Sequence, residues 1–405
     1  MPSSDQPNFT FYGILGIYNY GCEAIIRGTE ILLRERWPDA RLVYMSLRPE
    51  DDARRLRGSR VEVVARHWHP RYHPRKLINK ASSLLGLPWR PQTENLGRFD
   101  DASAILSIGG DMYTVGFEPG RYPKWLVASG EEALQRHRPF VVWGASIGPF
   151  EANPEAKQVI TAHLKRVSLI TAREPVTIEY LAGLGIKNNV APCADPAFAI
   201  NRAVARPASV GRRLRIGVNY SPLSLAFAGP GGDASKHPEN QAAALAEISR
   251  RFDAELVLIP HVVCDFEPVD DDRRYADRLR SLITKQTPHA VHLVENDPGF
   301  CGLRDTLLSC DMVIAARMHC AINALSLGIP AILAAYSQKA IGMARYVFGH
   351  DRWVVPLAAT TGNEIVDKTG ELLAERQQVH EQLLQRLPVI QADARKAVTA
   401  LEKLV

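Results

Sequence analysis

Short apolar runs alternate with amphipathic segments almost from one end of this chain to the other, and that alternation limits the fold more than any other feature. In the first half the apolar runs are 9–16, 41–45, 61–65, 104–108, 140–145, 169–171 and 190–191. They are rich in β-branched and aromatic residues, and Gly, Pro or Asp closes most of them. Helical periodicity fills the gaps at 23–36, 124–136, 155–166 and 175–184. Apolar strands separated by helices specify a parallel sheet covered on both faces. At 201–209 small, polar and basic residues break the rhythm, and 201–212 reads as a linker. The alternation then restarts, with strands at 214–219, 255–260, 291–293, 312–316 and 331–334 and helices at 241–251, 273–284, 303–309 and 320–327. A chain of 405 residues, 46% hydrophobic, is too long for one core of ordinary size and suits two. The predicted class is α/β: two Rossmann-like doubly wound domains, 1–200 and 213–362, facing across a cleft. A helical tail at 363–405 follows, part of it crossing back to brace the first domain. Such sheets bind ligands outside the C-terminal ends of their strands, so function is expected in the post-strand loops.

Composition narrows the class of partner. Charged residues make up 23% without a long like-charge run, so the whole chain is expected to fold. A net charge of +5 favours anionic small ligands or an anionic membrane surface. Lys and Arg are spread widely rather than focused on one face, which argues against nucleic acid. The six cysteines, Cys22, Cys193, Cys264, Cys301, Cys310 and Cys320, form no C-x-x-C pair and suit free thiols in a reducing compartment. The N-terminus lacks the basic start of a signal peptide, and no apolar stretch reaches the roughly 18 residues of a membrane span. A cytoplasmic protein is expected.

Several post-strand loops carry unusual residues. Gly13-Ile14-Leu15-Gly16-Ile17-Tyr18-Asn19-Tyr20-Gly21-Cys22-Glu23 leads into a helix whose N-terminus offers backbone N–H groups to an anion. Its glycine spacing is not the dinucleotide fingerprint, and a tight turn without a ligand fits it equally well. Gly109-Gly110-Asp111 either turns and caps a helix or brings Asp111 to the cleft as a base or sugar-hydroxyl acceptor. Gly144-Ala145-Ser146-Ile147-Gly148-Pro149 lets a ligand approach the backbone or simply ends a strand. Arg173, at a strand end, can fork onto a carboxylate or phosphate, or pair with Glu174 at the surface. Asp195, before Pro196, is a second cleft carboxylate or a turn residue.

The sharpest signal is Ala315-Ala316-Arg317-Met318-His319-Cys320. An apolar strand ends at Arg317 and a helix of small residues begins at once, so Arg317 and His319 share a strand C-terminus and a helix N-terminus. Arg brings a fixed guanidinium fork and His a proton donor that cycles near neutral pH. Lys339 adds a cation on the next post-strand loop, Tyr336-Ser337-Gln338-Lys339. By contrast, His67, His69 and His73 invite a metal site, but no carboxylate or Cys lies near and two prolines disrupt the geometry, so no metal is expected. The same stretch continues with Arg75, Lys76 and Lys80 among Leu77, Ile78, Leu84, Leu85 and Trp89. That mix resembles a membrane-interface segment, although a loop packed across the domain surface is the plainer expectation.

Taken in order, these motifs resemble the polysaccharide pyruvyl transferase family. The resemblance runs over about 8–348, through the N-terminal glycine loop to Glu23, Gly109-Gly110-Asp111, Gly144 to Pro149, Ala172-Arg173-Glu174, Asp195-Pro196, Arg317-Met318-His319, Gly328-Ile329-Pro330 and Lys339. It implies a GT-B-like pair of domains, the second on the donor side. It also implies phosphoenolpyruvate as donor and a pyruvate ketal on an exopolysaccharide or cell-surface sugar. Arg173, Arg317, Met318, His319 and Lys339 would then bind the donor, and Asn19, Glu23, Asp111 and Ser146 the acceptor. His319 and Arg317 would carry the chemistry, with Asp111 or Asp195 activating a hydroxyl. No cofactor is implied, because arginines can stabilise the phosphate charge. The partners would be phosphoenolpyruvate and a saccharide, lipid-linked if the basic and aromatic segment contacts a membrane. The chain departs from the family at Cys22, where many members carry an acidic residue. A GT-B glycosyltransferase with a nucleotide-sugar donor is the alternative.

Overall fold

The computed structural model describes residues 6–70, 72–85, 93–115, 123–200, 212–222, 236–266, 270–335 and 338–405. The chain divides into two compact units. One comprises Met1–Gly16, Ile25–Pro196 and Ala392–Val405; the other comprises Ile17–Ala24 and Ala197–Gln391. The sequence-read linker falls almost entirely on 201–211, outside the described residues.

In the first unit, β1 (Asn8–Tyr12), β2 (Arg41–Ser46), β3 (Glu62–Ala65), β6 (Ala104–Ile108), β7 (Phe140–Ala145), β8 (Leu169–Ala172) and β9 (Val190–Pro192) form one sheet. Their order is β3-β2-β1-β6-β7-β8-β9, every pairing is parallel, and the order reverses between β1 and β6. That is a doubly wound sheet. A separate antiparallel ribbon pairs β4 (His67–Trp68) with β5 (Glu94–Asn95). The core is apolar on both faces, with Phe9, Phe11, Tyr12, Phe140 and Trp143 fully buried. Trp143 satisfies its indole N–H on the Thr29 hydroxyl at 3.0 Å. The first strand stops at Tyr12 rather than running to residue 16, and the reason is local. Gly13 takes φ +119°, and a Cβ there would lie 2.7 Å from the Ile108 carbonyl oxygen.

The second unit repeats the plan. Strands β10 (Leu214–Asn219), β11 (Ala254–Leu258), β12 (Val291–Leu293), β13 (Met312–Ala315), β14 (Ala331–Ala335) and β15 (Val354–Pro356) pair in parallel in the order β12-β11-β10-β13-β14-β15. The switch point lies between β10 and β13. The two doubly wound sheets are the predicted α/β class.

The helices are α1 (Tyr20–Arg36), α2 (Pro49–Arg55), α3 (Pro74–Leu84), α4 (Lys124–Gln135), α5 (Pro154–Leu164) and α6 (Pro175–Gly183). They continue with α7 (His237–Arg251), α8 (Asp272–Ile283), α9 (Gly299–Leu308), α10 (Met318–Ser326), α11 (Gln338–Phe348) and α12 (Asn363–Leu401). The division between units falls inside α12, after Gln391. Its final turns bind the end of α1, where Arg395 bridges Glu35 at 2.6 Å and Arg36 pairs with Glu402. Helix α3 occupies 74–84 of the stretch expected to be a surface loop; residues 86–92, with Trp89 and Arg90, lie outside the described residues. None of the six cysteines forms a disulfide. Among the described residues no helix is long and apolar enough to cross a membrane.

Candidate functional site

The second unit gathers its unusual side chains around the β10/β13 switch point. Strand β13 is wholly buried, and the chain passes from it into α10 within two residues. Asn219, the last residue of β10, fixes that passage: its carbonyl accepts from the Ala316 N–H at 2.8 Å and its Oδ1 from the Arg317 N–H at 2.9 Å. Arg317 stands as the extended N-cap residue of α10. Its Nε donates to both oxygens of Asp272, at 3.1 and 3.0 Å, and its Nη2 donates to Asp272 Oδ1 at 2.8 Å and to the Asp270 carbonyl at 3.2 Å. Asp272 is fully buried, and its Oδ2 also accepts the backbone N–H groups of His261 and Val262, each at 3.0 Å. One carboxylate thus ties the guanidinium to the loop after β11. The ion pair leaves the Arg317 side chain 14% exposed, so solvent screens it weakly.

His261 sits behind this pair, completely buried, with Nε2 3.1 Å from the Asn323 side-chain nitrogen. Its Nδ1 has no hydrogen-bond partner. Burial first, then the neighbouring His319 and Arg317, push its pKa well below 6.5, so the ring is neutral. Tyr20 meets it edge-on, ring centroids 5.8 Å apart, and its hydroxyl donates a hydrogen bond to Asp297 Oδ1.

His319 lies half-buried in the first turn of α10. The glycine loop closes against it. A Cβ on Gly21 would fall 2.5 Å from His319 Cβ and 2.8 Å from its Nδ1, so no other residue fits without moving the imidazole. The loop is held in place by backbone bonds: Tyr20 N–H to His261 O at 3.1 Å, Val263 N–H to Tyr18 O at 2.9 Å, and an antiparallel bridge between Asn19 and Val262. Asn19 Oδ1 caps α1 by accepting from Gly21 N–H at 2.8 Å, and Glu23 is buried in the first turn. Residues 17–24 therefore belong to the second unit, although they follow the first strand of the other. Lys339 lies buried in the first turn of α11, not on an open loop; Tyr336 and Ser337 lie outside the described residues.

In the first unit, Arg173, Ser146 and Asp195 come together. Arg173 follows β8 and is only 2% exposed. Its Nε donates to Ser146 Oγ at 2.8 Å and its Nη1 to Asp195 Oδ2. The surface pair with Glu174 does not form; Glu174 instead caps α6 by accepting from Thr177 N–H at 3.0 Å. Asp111 is exposed in the turn after β6, and its carbonyl accepts the Thr114 hydroxyl at 3.2 Å. Among the described residues no three His, Cys, Asp or Glu side chains gather as metal ligands. His69 and His73 instead stack face to face, centroids 3.8 Å apart.

The sequence reading named Arg317 and His319 but not Asn219, His261, Asp272 or the packing of Gly21, which the structure sets beside them. Asp272 hid in Asp270-Asp271-Asp272 ahead of a helix, where acidic residues read as N-caps. Asp271 does cap α8, accepting from Arg273 N–H, while Asp272 turns inward. His261, one residue past Pro260, carried a signal in its place at a strand end.

Comparison with known proteins places this architecture. The family described as polysaccharide pyruvyl transferase matches residues 19–338. Among curated proteins, the amylovoran biosynthesis protein AmsJ of Erwinia amylovora is 22% identical over 315 residues, covering 72% of this chain and 69% of that protein. Among solved structures, a putative UDP-N-acetylglucosamine 2-epimerase from Listeria monocytogenes aligns with a TM-score of 0.60 at 13% identity, over 99% of this chain and 96% of that one. A glycosyltransferase from Rickettsia africae aligns with a TM-score of 0.56 at 11% identity, over 99% and 98%. At such identities the structural likeness shows the fold, which is of the GT-B type. The match to residues 19–338 covers every element that builds the Arg317–His319 site, and the chain belongs to the polysaccharide pyruvyl transferase family.

Proposed function

We propose that this protein transfers the enolpyruvyl group of phosphoenolpyruvate to two hydroxyls of a saccharide, forming a pyruvate ketal during exopolysaccharide or cell-surface glycan synthesis. The observation that carries the reading is Arg317 and His319 at one strand end, each orientation set by a buried neighbour, Asp272 for the first and Gly21 for the second. Phosphoenolpyruvate presents a phosphate and a carboxylate, and a guanidinium held along one edge by Asp272 meets such an anion without ordering a mobile side chain. The N-terminus of α10 adds a favourable field for negative charge. A bound anion also favours the protonated form of a neighbouring imidazole.

His319 then gives its proton to the methylene carbon of the donor, leaving an oxocarbenium-like centre at the adjoining carbon. One sugar hydroxyl adds there and releases its proton; the phosphate departs with the C–O bonding pair. The second hydroxyl adds to the new cationic centre and releases its proton, which closes the ketal. The neutral His261 behind the pair adds no second positive charge to the site.

The test is to incubate the protein with phosphoenolpyruvate and a panel of glycosides, following phosphate release and product mass. The reading expects phosphate release matched by pyruvate ketal on one glycoside, and a loss of at least about 100-fold in His319→Ala with the fold intact. Turnover of a nucleotide sugar to free nucleoside diphosphate, with phosphoenolpyruvate untouched, would replace it with the glycosyltransferase reading.

A further inference from the structure

Helix α3 is built inside out. Its polar positions Arg75, Asn79 and Ser82 recur at helical spacing and face the protein: Arg75 pairs with Glu132 at 2.8 Å, and Ser82 is buried. Leu77, Ile78, Ala81, Leu84 and Leu85 also recur at helical spacing, on the opposite side, and all are exposed. Leu84 and Leu85 are 80% and 73% exposed. Burying an apolar stripe is what normally stabilises a surface helix, so a helix that turns this stripe to water has an apolar partner elsewhere.

The surroundings say which partner. Of the twelve large hydrophobic side chains exposed among the described residues, six fall within 68–85: Trp68, Tyr72, Leu77, Ile78, Leu84 and Leu85. The stretch 63–93 contains six Lys or Arg and no Asp or Glu. Lys76 and Lys80 flank the apolar stripe along one side of α3. Exposed Trp and Tyr, a leucine stripe and flanking cations together make an interfacial helix, which lies in the plane of a bilayer rather than crossing it. A second copy of this chain fits poorly, because a two-fold contact through this face would set Lys76 and Lys80 against their equivalents. A surface that is apolar below and negative above matches both parts.

We propose that α3 docks this protein on an anionic phospholipid surface, with Leu77, Ile78, Leu84 and Leu85 entering the acyl boundary and Lys76 and Lys80 at the headgroups. This assignment is independent of the reaction the protein catalyses. It supplies a physical reason for the exposed stripe, and it would bring the enzyme to any acceptor carried on a lipid.

Flotation of the full chain with phosphatidylglycerol-containing vesicles and with pure phosphatidylcholine vesicles tests it. The wild type is expected to float with the first and not the second, and to be released as salt rises from about 0.1 M to about 0.5 M. Lys76→Glu with Lys80→Glu should weaken binding about 25-fold or more, about fivefold for each cation lost. Leu84→Asp with Leu85→Asp should do at least as much, because the leucine side chains supply the buried area. Lys80, Leu84 and Leu85 are exposed and Lys76 is half-buried, and thermal melting at the wild-type temperature verifies that the fold is unchanged. Absence of binding to phosphatidylglycerol vesicles overturns the proposal, as does binding that neither variant weakens. A dimer in solution that Leu84→Asp with Leu85→Asp converts to monomer, without vesicle binding by the wild type, would also overturn it and give the stripe to a protein partner.

Discussion

Asp272 receives the Arg317 guanidinium and two backbone N–H groups while shut away from water, which makes it the residue on which the local geometry of the second unit depends. A buried carboxylate is tolerated only when paired and hydrogen-bonded, and here both conditions hold. Asp272→Asn keeps the shape, removes the charge and leaves Arg317 without its counter-ion. The expected cost is roughly 3 kcal/mol, read from the urea midpoint. On the pyruvyl-transfer reading the KM for phosphoenolpyruvate should rise as well, because the guanidinium is no longer held along its Nε edge. A urea midpoint equal to that of the wild type would show that the pair contributes little. Arg317 was legible in the sequence because an Arg directly after an apolar strand has one expected place. Its partner was not, because the two residues lie 45 positions apart and nothing local marks the pairing.

At the scale of elements, most strands and helices were legible because their periodicity is sustained and glycine or proline ends them. Strands β6, β7, β10 and β12 match the apolar runs residue for residue. Most of what escaped was short or inverted, although α11, eleven residues long, escaped too. Helix α2 has seven residues and no apolar face to display, and α3 shows its apolar face to solvent. The glycine loop was read as a turn of the first domain; its backbone bonds to 261–263 decide otherwise, and no sequence pattern announces such a bridge. That bridge gives Gly21 its importance. In Gly21→Ala the added methyl group overlaps His319 Cβ, so either the loop or the imidazole must move. Such overpacking costs about 1–3 kcal/mol. On the pyruvyl-transfer reading the larger effect is on turnover, with kcat falling at least tenfold, because displacing a proton donor by about 1 Å is severe. Wild-type kcat in Gly21→Ala would show that the contact does not orient His319.

For the whole molecule, the two units should respond to acid to different extents. The second unit holds two histidines, His261 and His237, whose pKa values are lowered from 6.5, both chiefly by burial. Each stays neutral in the folded protein at pH values where the unfolded chain, with its ordinary value of 6.5, takes up a proton. Their contribution is thus fully present above pH 6.5 and is lost as the pH falls below it, by at most about 1.4 kcal/mol per pH unit for each histidine. The first unit holds one such histidine, His69, its pKa lowered from 6.5 chiefly by burial, and also Glu131, whose pKa is lowered from 4.5 by its hydrogen bond to His163. That contribution persists until the pH falls below 4.5, where the unfolded carboxylate begins to protonate. Between pH 6.5 and about 5 the second unit, with two such histidines against one, should therefore weaken more than the first. Limited proteolysis at pH 7 and pH 5.5 reads this directly: new cleavage should appear within Ala197–Gln391 well before Ile25–Pro196. His261→Gln with His237→Gln should flatten the acid response of the second unit, since neither glutamine binds a proton in the unfolded chain. If the doubly substituted protein loses resistance over the same pH range as the wild type, other groups govern the acid sensitivity of that unit.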